Sequence, residues 1–241
     1  MKPRLSWTPS CTSERSEGRL KLRKADRMKT IYLYVLDTMA DWEVGYATAE
    51  LSSQRYFKER HPEWQVKTCA VSKKPIVTLG GMTIVPDHAL DEVSIESTIM
   101  LILPGADRWL TPAQAPILAK ARAFLEAQVP VAAICGATGA LAQAGMLDKV
   151  KHTSNGLAYL QMFCPKYAGA ENYRDKLAVT DGNLITAGSS SAVKFAYHIF
   201  KKLNVFESAD LENWYDYFGK HSTASLMKLL GSIQSRMKEA S

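Results

Sequence analysis

The hydrophobic and polar positions along the chain alternate between short apolar runs and longer segments with helical periodicity. Apolar runs rich in β-branched and aromatic residues are typical of strands, and apolar positions that recur every three or four residues are typical of helices. This alternation starts at Thr30 and predicts an α/β fold with a mostly parallel sheet and helices on both faces. The predicted strands are 31–36, 65–71, 99–103 and 131–134, and the predicted helices are 43–59, 111 to just before Pro130, 136–144, 190–203 and two segments within 207–237.

Two hairpins interrupt this order. Residues 75–86 contain two short β-type runs around Gly80-Gly81, and Asp181-Gly182 separates two further runs. Such dipeptides favour tight turns because glycine adopts a positive φ without steric cost. The sequence shows no internal repeat and no linker rich in Ser, Gly or Pro after residue 29. Residues 29–241 are therefore predicted to form one domain that ends in helices over about 205–241.

The positive charge of the chain is concentrated at its N-terminus. The net charge of all 241 residues is +6, and the first 27 residues hold eight basic and three acidic residues, a net of +5. This segment is also rich in Ser, Thr and Pro and has no apolar periodicity, so residues 1–28 are predicted to be a disordered basic leader, an upstream extension or a tag. Since the remaining chain is nearly neutral, a nucleic-acid partner is not expected.

The composition, with 46% apolar and 22% charged residues, is typical of a water-soluble globular protein. No apolar run reaches the roughly 18 residues that a membrane-spanning helix needs, and the leader lacks the apolar stretch of a secretory signal. The cysteines are far apart and form no C-x-x-C pair. We therefore expect a cytoplasmic protein with reduced thiols, no membrane partner, no disulfide framework and no metal site. The four cysteines are Cys11, Cys69, Cys135 and Cys164.

The strongest candidate for chemistry is Cys135, which lies where a buried strand is predicted to turn into a helix. The run V-A-A-I precedes it, and the small residues Gly136, Ala137 and Gly139 follow it and allow a sharp turn. A nucleophile held between a strand and a helix in this way forms a nucleophile elbow. Because a helix N-terminus stabilises negative charge, we predict that the pKa of this thiol lies below ~8.5 and that Cys135 is the reactive cysteine.

Two further segments are expected beside Cys135, since the carboxyl ends of parallel strands meet at one edge of a sheet. The turn L-P-G-A at 103–106 ends one strand, and the backbone N–H groups of Ala106 and Gly136 are candidate donors to an oxyanion. Glu43 follows the first strand, where it either handles a proton beside the thiol or is only a helix-start charge. The predicted oxyanion and pocket residues are Gly105, Ala106, Gly136, Asp107 and Trp109.

Five segments together resemble the ThiJ/PfpI superfamily of class I glutamine-amidotransferase-like proteins. The resemblance spans about residues 29–205 and implies a flavodoxin-like three-layer sandwich. It also implies that Cys135 is the elbow cysteine, Glu43 the acid of the site and Gly105-Ala106 the oxyanion turn. The five segments are D-W-E at 41–43, L-P-G-A at 103–106, A-I-C-G-A-T-G-A-L at 133–141, L-D-K-V-K-H-T-S-N-G at 147–156 and D-G-N-L-I-T-A-G-S-S-S-A-V-K-F-A at 181–196.

Histidine is where the chain departs from the superfamily pattern. His152 lies one residue from the position that a histidine takes in many members, so it is either a base or orienter of the thiol or a solvated residue at a strand end. The run His61-Pro62-Glu63 has the letters of the glutamine amidotransferase motif but precedes Cys135, and we interpret it as a turn. The candidate catalytic residues are therefore Cys135, Glu43 and His152.

Two of the three functional hypotheses depend on Cys135. In the first, the chain is a hydrolase of the amidase, peptidase or glyoxalase type, and its Cys135 thiolate attacks a small carbonyl or amide substrate. In the alternative, Cys135 is oxidised to a sulfinate in a redox-sensing stress protein. A third hypothesis is a non-catalytic scaffold that associates through its terminal helices. No nucleotide-binding or zinc-protease motif is present in the sequence, so we expect no cofactor, and the resemblance implies a homodimer or higher homo-oligomer.

Overall fold

The computed structural model describes residues 28–239, so the predicted leader up to residue 27, together with Cys11, lies outside the described residues. The strands are β1 (Lys29–Tyr34), β2 (Trp64–Ala70), β3 (Ile76–Val77), β4 (Thr83–Ile84), β5 (His88–Ala89), β6 (Thr98–Leu103), β7 (Val131–Ile134), β8 (Ala178–Asp181) and β9 (Leu184–Ala187). The helices are α1 (Asp41–Ser53), α2 (Ala115–Glu126), α3 (Gly136–Gln143), α4 (Leu157–Phe163), α5 (Ala192–Leu203), α6 (Ser208–Lys220) and α7 (Thr223–Glu239). Short 3-10 turns lie at Leu90–Glu92, Pro112–Gln114 and Ala170–Asn172.

Seven of these strands form one mostly parallel sheet in the order β5-β2-β1-β6-β7-β9-β8. The strands β8 and β9 run antiparallel as the hairpin predicted around Asp181-Gly182, and the other neighbouring pairs of this sheet are parallel. The second predicted hairpin is the pair β3 and β4, which forms a small separate sheet. The predicted α/β class is confirmed, and the arrangement is the flavodoxin-like sandwich that the resemblance implied.

The core of the molecule lies against the central strands. Leu101, Ile102 and Leu103 of β6 are completely buried, and so are all four residues of β7. Helices α2 and α3 contact β7, and α5 contacts β7, β8 and β9 while packing beside α1. Strands covered on both faces need continuous apolar sequences, which explains why T-I-M-L-I-L and V-A-A-I lack the alternation of a half-exposed strand.

The sheet topology creates a crevice at the carboxyl end of β1. Strand β1 pairs with β2 on one side and with β6 on the other, so the connections on its two sides run in opposite directions. In open α/β sheets, ligands bind at such a point, outside the carboxyl ends of the strands. The segments that follow β1, β6 and β7 carry Glu43, Gly105 and Cys135, respectively.

Two predicted helix boundaries are wrong. Helix α1 ends at Ser53 rather than at residue 59, because Gln54 has a left-handed backbone with a φ of 51° and its side chain exchanges hydrogen bonds with the backbone of His61. The chain reverses there. The predicted start at Thr111 is a 3-10 turn, and α2 begins only at Ala115. The hydroxyl of Thr111 donates to the carbonyl oxygen of Arg108 and therefore does not cap a helix.

Sequence patterns also missed two short elements, β5 and α4. Strand β5 has two residues and α4 has seven, so neither contains enough apolar positions to establish a periodicity. No helix within residues 28–239 is long and apolar enough to cross a membrane.

Candidate active site

Cys135 lies on a strained turn between β7 and α3. Its backbone has φ 58° and ψ −124°, a conformation that residues with a side chain rarely adopt. Helix α3 begins with the next residue, Gly136. A Cβ atom on Gly136 would lie 2.7 Å from the carbonyl oxygen of Ala106, so only glycine fits this turn. The predicted nucleophile elbow is confirmed in its geometry.

Glu43 is the acidic group nearest to this thiol. It lies in the first turn of α1 and is completely buried, so it is more than the helix-start charge considered from the sequence. One carboxyl oxygen, Oε2, accepts a hydrogen bond of 2.6 Å from the N–H of Gly105. The other oxygen, Oε1, is buried and has no hydrogen-bond partner within residues 28–239. The carboxyl group as a whole interacts with the Cys135 thiol.

Gly105 lies beside both the carboxyl group of Glu43 and the side chain of Cys135. A Cβ atom on this glycine would lie 2.5 Å from Oε2 of Glu43 and 2.6 Å from the Cβ of Cys135. Both distances are shorter than any real contact of a Cβ atom. Because residue 105 has no side chain, the backbone after β6 can lie against both Glu43 and Cys135. The carboxyl group and the sulfur can then contact each other.

The protonation of this pair differs from the sequence-based prediction. Burial and the neighbouring Glu43 carboxylate raise the pKa of the Cys135 thiol to about 11, although hydrogen bonds from Asn155 and the N–H of Gly136 act in the opposite direction. The helix N-terminus does favour the thiolate, as predicted, but it does not outweigh burial and a like charge. Burial also raises the pKa of Glu43, opposed by its hydrogen bonds with Cys135 and Gly105.

Asn155 is a site residue that sequence reasoning missed. Its Nδ2 lies 3.4 Å from the sulfur of Cys135 and donates to it. Its Oδ1 accepts a 2.8 Å hydrogen bond from the N–H of Ser189, which fixes the orientation of the amide. The only signal in the sequence was the presence of Asn155 in the segment T-S-N-G that carried part of the resemblance.

His152 does not line the pocket at Cys135, and both of its ring nitrogens have other partners, so the structure gives it no contact with the thiol as a base or orienter. It is not the solvated residue of the alternative either. The side chain is completely buried, and its ring nitrogens lie 2.7 Å from the carbonyl oxygen of Val150 and 2.7 Å from the hydroxyl of Tyr167. Since a carbonyl oxygen only accepts, Nδ1 donates to Val150 and Nε2 accepts from Tyr167. Burial lowers the pKa of His152, which favours this neutral form.

The turn at Gly105-Ala106 and the residues after it line a pocket of about 430 Å³ at Cys135. Ala106 and Gly136 both line it, as the sequence predicted, and so do Asp107 and Trp109. Trp109 is nearly fully buried, and its Nε1 donates a 2.6 Å hydrogen bond to the carbonyl oxygen of Pro104, so it forms a wall of the pocket. The exposed apolar side chains at the rim are Trp42, Leu79, Leu110 and Phe163.

Cys135 is the accessible thiol among the three cysteines described. Cys69 and Cys164 are buried, and burial raises the pKa of Cys69 to about 12. The thiol of Cys164 donates to the carbonyl oxygen of Gly139. Within residues 28–239 there is no cluster of three or more His, Cys, Asp or Glu side chains that could hold a metal ion.

Comparison with known proteins gives consistent matches over most of the chain. The sequence profile of the DJ-1/PfpI family matches residues 29–202. A protein of Bacillus subtilis (strain 168), named the uncharacterized protease YoaZ, is 46% identical over 205 residues, which cover 85% of this chain and 98% of that protein. The uncharacterized protease YdeA of the same organism is 29% identical over 186 residues, 77% of this chain and 88% of its own length.

A solved structure agrees with these matches. The thiJ/pfpI family protein from Bacillus anthracis superposes with a TM-score of 0.81 at 44% identity, and the superposition covers 85% of this chain and 98% of that chain.

Proposed function

Since the chain belongs to the DJ-1/PfpI family, we propose that it is a cysteine-dependent hydrolase in which Cys135 attacks a small carbonyl or amide substrate. The observation that carries the proposal is the contact between a buried carboxyl group and the thiol on the elbow. Gly105 holds one carboxyl oxygen of Glu43, and the carboxyl group interacts with the thiol of Cys135. The naming of two relatives as uncharacterized proteases supports the same class of reaction.

The raised pKa of Cys135 determines how the attack proceeds. At neutral pH the sulfur carries its proton in the resting protein, so the thiol must lose it as the bond to carbon forms. Glu43 is the proton acceptor, because its carboxyl group contacts the sulfur and its own pKa is raised by burial. A higher pKa makes a carboxylate a stronger base, and general-base catalysis of this kind contributes typically 10²- to 10⁴-fold.

Each step then has a residue that performs it. The sulfur of Cys135 bonds to the carbonyl carbon, the S–H proton passes to Glu43, and the carbonyl oxygen becomes an oxyanion held by the N–H groups of Ala106 and Gly136. Collapse of this intermediate breaks the C–N bond, and Glu43 returns the proton to the leaving amine. Water then attacks the thioester, its proton passes through Glu43 to the departing sulfur, and the acid product is released.

The shape of the pocket restricts the substrate to a small molecule or a short chain end. The cavity of about 430 Å³ has apolar side chains at its rim and polar groups at its base, around Cys135 and Asn155. Such a pocket buries an apolar body and positions a single polar reacting group against the sulfur.

The test compares Cys135→Ser with Cys164→Ser, which alters a buried thiol away from the pocket. Short amides, peptides and 2-oxoaldehydes serve as substrates, and thermal unfolding confirms that both variants fold. Turnover should fall at least 100-fold in Cys135→Ser and stay near the wild-type value in Cys164→Ser. Equal turnover in wild type and Cys135→Ser would refute the proposal.

The redox-sensing alternative rests on the donors around the sulfur. The N–H of Gly136 and Nδ2 of Asn155 both contact it and would also bind the oxygens of a sulfinate. The raised pKa acts against this function, since peroxide reacts with the thiolate. Intact-mass measurement after mild peroxide distinguishes the two: selective addition of two oxygens at Cys135 supports the sensor, and an unchanged mass supports the hydrolase.

A further inference from the structure

A second pocket, of about 400 Å³, lies beside the pocket above Cys135. The two pockets share Asn155 and Ser189, so these residues form the boundary between them. The amide of Asn155 donates to the sulfur on one side and accepts from the backbone of Ser189 on the other. The two pockets are therefore neighbours, and a ligand that is long enough to pass over the hydrogen bond between Asn155 and Ser189 would occupy both.

Ser191 lines this second pocket and has an unused hydroxyl group. It occupies the N-cap position of α5, where a serine ordinarily accepts a hydrogen bond from the first turn of the helix, yet it makes no such bond. The residue is only 5% exposed. Its hydroxyl has no other hydrogen-bond partner in the part of the chain that the structure describes. Since the oxygen is not among the fully buried atoms without a partner, it faces the pocket and is available to a ligand.

The second pocket lies at the N-terminus of α5, because the N-cap residue Ser191 lines it. The first N–H groups of a helix have no partner within the helix, and here the hydroxyl of Ser191 does not satisfy them. Such groups and the helix dipole together favour a negatively charged or hydrogen-bond-accepting ligand. Ser189 and Ser190 line the pocket as well and bring two more hydroxyl groups.

The charged side chains of this pocket are Lys176 and Asp175, and both are exposed. The ammonium group of Lys176 has no hydrogen-bond or ion-pair partner within residues 28–239 and is free to meet a ligand. Asp175 carries the opposite charge, so it weakens the attraction for an anion without removing the hydroxyl groups of Ser189, Ser190 and Ser191. Neutralising Lys176 and neutralising Asp175 should therefore change the affinity for an anion in opposite directions.

We propose that the second pocket is a subsite for a carboxylate, and that the substrate is a small carbonyl or amide compound with a carboxylate at its far end. The reacting carbon lies at Cys135, the chain passes over the hydrogen bond that joins Asn155 to Ser189, and the carboxylate accepts a hydrogen bond from Ser191 at the N-terminus of α5. The substrate class rests on the function proposed above, whereas the subsite itself depends only on binding.

Calorimetric titration of Cys135→Ser tests the subsite without any reaction. The probes are succinamate, glutaramate and adipamate, each compared with its neutral diamide of equal length. At one chain length the acid should bind about tenfold more tightly than the diamide, since hydrogen bonds to a charged group are roughly twice as strong as neutral ones. Ser191→Ala and Lys176→Gln, each combined with Cys135→Ser, should reduce this preference severalfold, and Asp175→Asn should increase it.

Matched controls are Ser53→Ala and Lys149→Gln, which alter exposed residues outside both pockets and should leave the preference unchanged. Equal binding of acid and diamide at every length, or a preference that survives both Ser191→Ala and Lys176→Gln, would overturn the subsite. If the acids bind as expected but Cys135→Ser does not slow turnover, the subsite stands and the proposed hydrolase function fails.

Discussion

At the scale of single residues, the behaviour of Cys135 is governed by burial and by one carboxylate. The backbone turn supplies the N–H of Gly136 as a stabilising donor, and Asn155 supplies a second. Glu43 opposes both, because a negative charge beside the sulfur disfavours a second negative charge there. Cys135 is therefore a thiol at neutral pH, and it can act as a nucleophile only when a neighbouring group accepts its proton.

The pH dependence of labelling measures this directly. We expect the rate of Cys135 alkylation by iodoacetamide to rise about tenfold per unit between roughly pH 7 and pH 10, since only the thiolate reacts and the pKa is about 11. Peptide-resolved mass spectrometry follows each cysteine separately, with buried Cys69 as the internal reference. A plateau below pH 8 would instead support the low pKa predicted from the helix N-terminus.

Substitution of Glu43 separates its charge from its role in proton transfer. Glu43→Gln removes the negative charge that raises the pKa of Cys135, so alkylation at pH 7 should become faster. Hydrolytic turnover should fall by ~10²- to 10⁴-fold, because the amide cannot accept the proton. Glu126→Gln, at an exposed position of α2, is the control. If Glu43→Gln instead slowed both alkylation and turnover, Glu43 would not be the negative charge that raises the pKa of Cys135.

At the scale of elements, the site is the meeting point of strand ends that are distant in the sequence. The segments after β1, β6 and β7 each contribute one part, and the hairpin of β3 and β4 closes the pocket from one side through Leu79. Asp41 at the start of α1 holds this hairpin, since its Oδ2 accepts a 2.7 Å hydrogen bond from the N–H of Gly80. The site therefore depends on close contact between the backbone segments that follow β1, β6 and β7.

Two glycine substitutions test that dependence. Gly105→Ala forces a Cβ atom against Glu43 and Cys135, so the free energy of unfolding should fall by roughly 1–3 kcal/mol and turnover should fall with it. Gly45→Ala in α1 is the matched control, since no atom lies within 4 Å of its added Cβ. It should raise stability by up to ~1 kcal/mol through helix propensity. Urea denaturation measures both, and equal effects of the two variants would contradict the packing described here.

At the scale of the whole molecule, an aromatic cluster joins the C-terminal helices to the sheet domain. Trp214 of α6 is completely buried and packs edge-on against Phe200 of α5 with ring centroids 5.0 Å apart. Its Nε1 lies 3.3 Å from Oε1 of Glu50 in α1 and donates to it. Beyond it, Asp210 of α6 is paired with Arg236 of α7. These contacts make α6 and α7 part of the same folded unit.

Removal of this tryptophan should therefore destabilise the entire domain. Trp214→Ala is expected to lower the free energy of unfolding by ~3–5 kcal/mol, the usual cost of deleting a large aromatic side chain from a core. Trp42→Ala is the control, because Trp42 is 55% exposed and its removal leaves no cavity. Denaturant titration followed by circular dichroism measures both. A separate early transition for α6 and α7 in the wild type would show that they unfold independently.

The local sequence pattern was sufficient to predict most of the fold and the turn that holds Cys135. The apolar runs of β6 and β7, the turn at Asp181-Gly182 and the small residues after Cys135 act through backbone conformation and burial, which depend on neighbours in the sequence. The elbow at Cys135 was predictable for this reason. The boundary of α1 was not, because the contact of Gln54 with His61 that ends the helix has no signature in the hydrophobic pattern.

The sequence by itself determined the α/β fold and the turn that holds Cys135, and it gave Cys135 and Glu43 as candidate site residues. Only the tertiary structure decided the protonation of Cys135, the contact of Asn155 with the sulfur and the separation of His152 from the site. The physical reason is that desolvation and charge interactions depend on distances in space between residues that lie far apart along the chain. Glu43 and Cys135 meet only because Gly105, on a third segment, leaves room between them.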